Sequence, residues 1–209
     1  MLKALMLKVL ATAFVLSLVC GTAAAQSLSG QSLVQHLQGG GYVLLTRHAS
    51  APTQLPTPST ADPENKNLER QLDDKGRENA AAMGRAIRSM RIPVAAILSS
   101  PTYRARQTVG LAGLGEPKTF VQLGDQGQSM DKNAVAGKAA WLREKLSEPP
   151  AARTNTLIVS HAPNIVAASG VAAVAEGETL VFQPRPQGQA VLVARIPIEQ
   201  WPLLSQTKP

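Results

Sequence analysis

Short continuous apolar runs alternate along the chain with segments whose apolar residues recur every three or four positions. Tyr42 to Thr46, Val94 to Leu98 and Thr156 to Val159 are runs suited to strands buried on both faces. Ser29 to Gln38 reads as a short amphipathic helix, stopped by Gly39, Gly40 and Gly41. From Asp74 to Met90 the period is helical: Ala80, Met83, Ile87 and Met90 form a stripe, and Arg77, Arg85 and Arg88 lie off it. Asp73 and Asp74 stand where an N-cap and a favourable first-turn charge are wanted. Pro101 opens a helix to about Leu111. Val135, Ala139, Leu142 and Leu146 mark another, ended by Pro149 and Pro150. A small-residue helix runs from Pro163 to about Val174, and strands near Leu180–Gln183 and Ala190–Ile196 close the pattern. Residues 50–71, rich in Pro, Thr, Asn and charge, form the longest loop, of a length that is usually functional or mobile.

This alternation predicts an α/β fold, a three-layer sandwich with a mostly parallel central sheet flanked by helices. Such sheets bind ligands just beyond the carboxyl ends of their strands. The polar residues that follow the apolar runs therefore carry the functional information.

The first 25 residues have a different character. Lys3 and Lys8 precede an apolar run from Val9 to Cys20, and Ala23 and Ala25 frame a small-residue cleavage site before Gln26. That is the layout of a secretory signal peptide, and its apolar run is too short for a stable membrane span. Bulky Val19 disfavours a lipid anchor on Cys20. The expected organisation is a cleaved segment over residues 1–25 and a single domain over 26–209, in the periplasm or outside the cell.

Composition narrows the chemistry. Loss of Lys3 and Lys8 from the 21 basic residues leaves 19 against 14 acidic ones, a net charge of +5. The only cysteine departs with the signal, which removes disulfides, thiolate zinc sites and a cysteine nucleophile from consideration. Scarce aromatics and dispersed basic residues argue against a nucleic-acid surface, while a mild positive balance suits small anions.

Three run ends deliver an uncommon set. The first gives Arg47 and His48, the second Ser100, Pro101, Arg104, Ala105 and Thr108, and the third His161. In combination these motifs resemble the histidine phosphatase superfamily, in the branch related to phosphoglycerate mutases, over roughly residues 42–196. Leu72 through Gly76, followed by an Ala-rich helix, is similar to that family's Leu-Thr-x-x-Gly segment. The long loop and secretory start look more like its periplasmic members than its cytosolic mutases.

The resemblance implies a phosphoglycerate mutase-like sandwich and a metal-independent phosphomonoester phosphatase that needs no cofactor. His48 would be the nucleophile, with Arg47, Arg104 and His161 gripping the phosphate. Neutral imidazole attacks a phosphate dianion more readily than an anionic nucleophile does, and planar guanidinium forks match phosphate oxygens. Arg104 and Arg106 lie about 200° apart around a helix, so only one can face the site, and the family pattern selects Arg104. Thr108, one turn later, is a candidate supporting hydroxyl.

The proton donor is open. Leu123, Gly124 and Asp125 stand where the mutase-like branch places a Glu, which makes Asp125 the first candidate, with Glu178 and Glu176 as rivals. Ala49 replaces the family's usual Gly and would be strained if that position needed a positive φ. Ser100 and Ser160 read as turn and cap residues, and His36, Trp141 and Trp201 as surface or packing residues. Lys66 and Arg70 either touch an anionic substrate or belong to a solvated loop.

The expected partner is a small phosphorylated substrate, with an envelope sugar phosphate the candidate suggested by the periplasmic relatives. The competing expectation is a non-catalytic phosphate- or anion-binding envelope protein on the same scaffold.

Overall fold

The computed structural model describes residues 28–124, 132–185 and 188–206. The expected signal peptide, Asp125, and the side chain of Val135 lie outside the described residues. The elements run α1 (Gly30–Gly39), β1 (Val43–Arg47), α2 (Asp74–Ser89), β2 (Val94–Ser99), α3 (Tyr103–Ala112), β3 (Lys118–Thr119), α4 (Lys132–Ser147), β4 (Asn155–Ser160), α5 (Ala162–Ser169), β5 (Thr179–Gln183), β6 (Val191–Ile196) and α6 (Trp201–Leu204).

The strands form one sheet in the order β3-β2-β4-β1-β5-β6. β1 pairs in parallel with β4, and β2 with both β3 and β4, whereas β5 runs antiparallel to β1 and to β6. Side-chain alternation along each central strand feeds two cores. Leu44 joins Leu37 of α1, Met83 and Ile87 of α2, Val109 of α3 and Trp201 of α6 on one face. Val43 and Leu45 join Leu142 and Leu146 of α4 and Ile165 of α5 on the other. The result is the three-layer α/β sandwich that the apolar pattern predicts.

Three details depart from expectation. Ala95 and Ala96 in β2 are exposed, so that strand is not buried throughout. The short β3 pairs only with Leu98 and Ser99, which leaves the first half of β2 on the open edge, where its register also shifts. Helix α3 begins at Tyr103 rather than Pro101, with Thr102 still extended at ψ 147°. Helix α5 ends before Val174, because Gly170 adopts the left-handed conformation (φ 74°) and terminates it.

The start of α2 explains why Gly76 closes its motif. The Asp73 carboxylate accepts from the Gly76 N–H at 2.6 Å, an N-cap that fixes where the helix begins. A Cβ at Gly76 would collide with the Ser50 carbonyl. The missing side chain thus lets α2 pack directly on the loop that follows β1. Among the described residues, no helix is long and apolar enough to cross a membrane.

Candidate active site

Parallel β1, β4 and β2 lie side by side and finish at the same edge, so their trailing residues converge. His48 leaves β1 with its N–H bonded to the Ser160 carbonyl at 3.0 Å, and the Ser100 N–H bonds the Val159 carbonyl at 2.9 Å. Register therefore sets His48, Ser100 and His161 at neighbouring strand ends. The His48 and His161 rings stand 5.1 Å apart, centroid to centroid, at 60°. Both are buried, as is Arg104.

Arg104 bridges the two imidazoles. Its Nε donates to His48 Nε2 at 3.2 Å, and its Nη2 meets His161 Nδ1 at 3.1 Å. A guanidinium has only donors, so both contacted ring nitrogens must be acceptors. The tautomers follow. His48 carries its proton on Nδ1 and donates to its neighbour's carbonyl, Ala49 O, at 2.8 Å. His161 carries its proton on Nε2 and donates to Ser100 Oγ at 2.8 Å, with Thr102 Oγ1 at 3.3 Å beside it. His48 Nε2 is thereby the unprotonated ring nitrogen, with its lone pair engaged by Arg104.

Electrostatics favour the same states. Burial above all lowers the His48 pKa, to about 4; the hydrogen bond to Ala49 opposes the shift, and the charges of Arg104, Arg47 and Arg70 reinforce it. His161 falls further, to about 2, through burial and then the charges of Arg104, His48, Arg70 and Lys138. Both rings are neutral near pH 7, and the pocket's positive charge resides on guanidinium groups.

Arg47 stands beside this triad without bonding to it. Its Nη1 donates to the Val174 carbonyl at 3.0 Å, and its Nη2 pairs with Glu176 at 3.0 Å. Its Nε is buried and has no hydrogen-bond partner among the described residues. The 174–178 turn that holds Arg47 also bonds the His48 carbonyl, through the Gly177 N–H at 2.9 Å.

Supporting hydroxyls fix the loops. Thr108 Oγ1 donates to the Arg104 carbonyl at 2.8 Å and accepts the Ala49 N–H at 3.1 Å, so one side chain ties the loop after His48 to α3. Ala49 does not have a positive φ, and its Cβ costs nothing on that account. Ser160 Oγ bonds Leu123 O at 3.0 Å, and Asn164 Nδ2 bonds Gly124 O at 2.7 Å, anchoring the segment that leads to Asp125.

The rival donors fare differently. Glu178 is buried and accepts from Arg195 through both oxygens, at 2.7 and 2.9 Å, and from the Ala175 N–H at 2.8 Å. Burial would raise its pKa, but the Arg195 and Ala175 hydrogen bonds outweigh that and hold it below the usual carboxylate range. A carboxylate held in that state braces the turn, and a lowered pKa disfavours it as a proton donor. Glu176 lies at the site, in contact with Arg47.

Ser100 is the functional residue that sequence reading assigned to a turn. Nothing in its spacing signals a contact with His161, which lies on another strand end. His36 is exposed, and Trp201 is fully buried, in accord with surface and packing roles. A separate cleft of about 800 Å³ runs along the outer side of α3, lined in part by Asp62, Tyr103, Arg106 and Glu116, and includes none of the four pocket residues.

The sequence profile of the histidine phosphatase superfamily (branch 1) matches residues 43–155. The chain belongs to this superfamily. The matched span holds Arg47, His48 and Arg104 and stops short of His161, which the fold brings to them. No curated protein matches the chain.

Solved structures of similar fold include the protein histidine phosphatase SixA complexed with tungstate. It is 16% identical, with a TM-score of 0.54, over 76% of this chain and 98% of that one. A mutant phosphoserine phosphatase from Entamoeba histolytica in complex with phosphoserine is 14% identical, with a TM-score of 0.52, over 76% and 98%. An open reading frame product from Mycobacterium tuberculosis is 18% identical, with a TM-score of 0.50, over 74% and 97%. At these identities the superfamily likeness is one of fold.

Proposed function

We propose that this superfamily member is a secreted or periplasmic phosphomonoester phosphatase that works through a phosphohistidine on His48. The observation that carries the reading is the double donation from Arg104, which leaves a neutral imidazole with its Nε2 lone pair directed at a buried guanidinium. A phosphate monoester entering the pocket draws Arg104 and the free Arg47 Nε onto its non-bridging oxygens. That releases the His48 lone pair to attack phosphorus. The P–Nε2 bond forms as the bond to the leaving oxygen breaks, and that oxygen takes a proton. Water then attacks the phosphohistidine, the P–N bond breaks, and inorganic phosphate departs with His48 Nε2 restored.

Arg47 and Arg104 supply the positive and donor groups that the transferring phosphoryl requires, with His161 Nδ1 helping to orient Arg104, so the reading invokes no metal. Asp125 retains first place as proton donor. The substrate is a small phosphorylated molecule, with an envelope sugar phosphate consistent with the secretory-type N-terminus. Purified protein is expected to hydrolyse an aryl phosphate in the presence of chelator and to form an acid-labile, base-stable phosphoenzyme. His48→Ala should abolish both, and full activity in that variant would end this reading.

One observation favours a second reading, a phosphate-binding protein without turnover. Both described rivals for the proton donor are engaged by arginines, Glu178 by Arg195 and Glu176 by Arg47. That reading expects saturable phosphate binding with no phosphoenzyme after brief exposure to substrate.

A further inference from the structure

The 50–71 loop, whose length suggests mobility, is stapled to α2, to α3 and to the segment that follows His48. Asp62 accepts from both Arg77 and Gln107, at 2.9 and 2.7 Å, and Asn65 bonds Glu69 O at 2.7 Å. Its last residues join the two catalytic loops. Glu69 accepts the Tyr103 N–H at 2.9 Å, immediately before Arg104, and Ser50 donates to Asp73 at 2.7 Å, two residues after His48. Leu72 N–H bonds Gln107 at 2.8 Å. Residues 69–73 therefore form a strap from the start of α3 to the loop after β1.

Arg70 sits in the middle of that strap. Its Nε donates to Pro52 O at 2.6 Å and its Nη2 to Ala51 O at 2.7 Å. It has no carboxylate partner, and Nη1 makes no hydrogen bond, among the described residues. Two neutral carbonyls hold its orientation without cancelling its charge. Unlike the buried Arg104, it is only partly buried, and Pro52 beside it is exposed. Its charge contributes to lowering both His48 and His161, in keeping with its bonds to Ala51 and Pro52 just beyond His48.

We propose that Arg70 is a specificity-determining residue that reads a second anionic group on the substrate, outside the phosphate being transferred. The buried ring of Arg104, His161 and His48 with the adjoining Arg47 serves the phosphoryl group. An uncompensated guanidinium fixed just beyond His48 meets whatever emerges from that ring, and a carboxylate or second phosphate would replace water on Nη1 with a charge-assisted bond. The substrate class becomes a phosphomonoester bearing another negative group near the ester. This inference rests on the reading of the pocket as a phosphate site.

The test uses calorimetric binding of non-hydrolysable probes to the purified protein: phenylphosphonate and its ortho-, meta- and para-carboxyl derivatives. At least one carboxyl derivative should bind ten or more times as tightly as the parent. Arg70→Gln should erase that preference while leaving phenylphosphonate affinity within about twofold, and Arg70→Lys should restore part of it. Equal binding of all four probes to the native protein, or an equal loss for all of them in Arg70→Gln, would overturn the inference while leaving the phosphate site standing. If no phosphonate binds at all, the phosphate reading and the inference fall together.

Discussion

Arg104 Nε lies 3.2 Å from His48 Nε2, so the lone pair of that nitrogen faces the guanidinium that, on the proposed reading, would grip the phosphate. On that reading, substrate binding and release of the His48 lone pair would be one event, because an anionic guest competes for the guanidinium. Arg104→Lys keeps the charge but cannot place parallel donors on two rings or two oxygens. We expect kcat on an aryl phosphate to fall by roughly 100-fold or more, the scale seen when a charge-stabilising donor is removed. Near-native kcat in this variant would contradict the coupling.

Both pocket histidines titrate below the ordinary value of 6.5, His48 at about 4 and His161 at about 2. Between those values and 6.5 the unfolded chain binds more protons than the native protein, so native stability rises with pH across that window. Their contribution is fully present above about pH 6.5 and is lost as pH falls toward 4. Denaturant unfolding should show lower stability at pH 5 than at pH 7, with a smaller difference in His48→Gln. Identical differences in the two proteins would contradict the assignment.

His161 donates its Nε2 proton to Ser100 Oγ, which fixes the tautomer that faces Arg104. Ser100→Ala removes the acceptor and leaves only Thr102 Oγ1 within reach, at 3.3 Å. An unsatisfied buried donor costs about 1–3 kcal/mol, and kcat should fall by about tenfold. The split between kcat and KM checks this, since a purely structural fault would appear instead as a lower melting temperature with normal kinetics.

Thr108 and Gly76 support the site from beneath. Thr108→Val strands the buried Ala49 N–H and should lower stability by about 1–3 kcal/mol, with a loss of activity in the same protein. Gly76→Ala drives a methyl into the Ser50 carbonyl and should lower stability by about 1–3 kcal/mol through displacement of the 50–52 loop. Chemical denaturation measures both.

Glu178 braces the turn that carries Arg47, through its pair with Arg195. Glu178→Gln should lower the melting temperature and leave the rate of phosphoenzyme formation on an aryl phosphate within about threefold, since its carboxylate is held by Arg195 and the Ala175 N–H. A loss of turnover with unchanged stability would reinstate it as the acid.

Much of the frame was legible in one dimension. β1 and β4 carry consecutive apolar residues, Val43–Leu45 and Leu157–Val159, because helices cover both faces of those strands, and the stripe from Ala80 to Met90 is buried as its spacing predicts. Edge effects were not legible: β2 reads like its neighbours, yet Ala95 and Ala96 are exposed because β3 is too short to cover them. Ser100 looked like a turn residue because its partner is 61 positions away. Glu178 stood as a rival proton donor because its partner Arg195, on the adjacent antiparallel strand, comes 17 residues later.

The order of residues by itself determined which chemical groups follow the strands, since alternation and period are local properties of the chain. The Arg-His pair, the Arg104 helix and the second histidine could be named without coordinates. Only the tertiary structure decided how they meet. Protonation sites, the sharing of Arg104 between two rings, the capture of Glu178 and the holding of Arg70 by the Ala51 and Pro52 carbonyls all depend on distances of about 3 Å between segments apart in sequence. Hydrogen bonding and desolvation act over those distances, and a one-dimensional pattern carries no record of them.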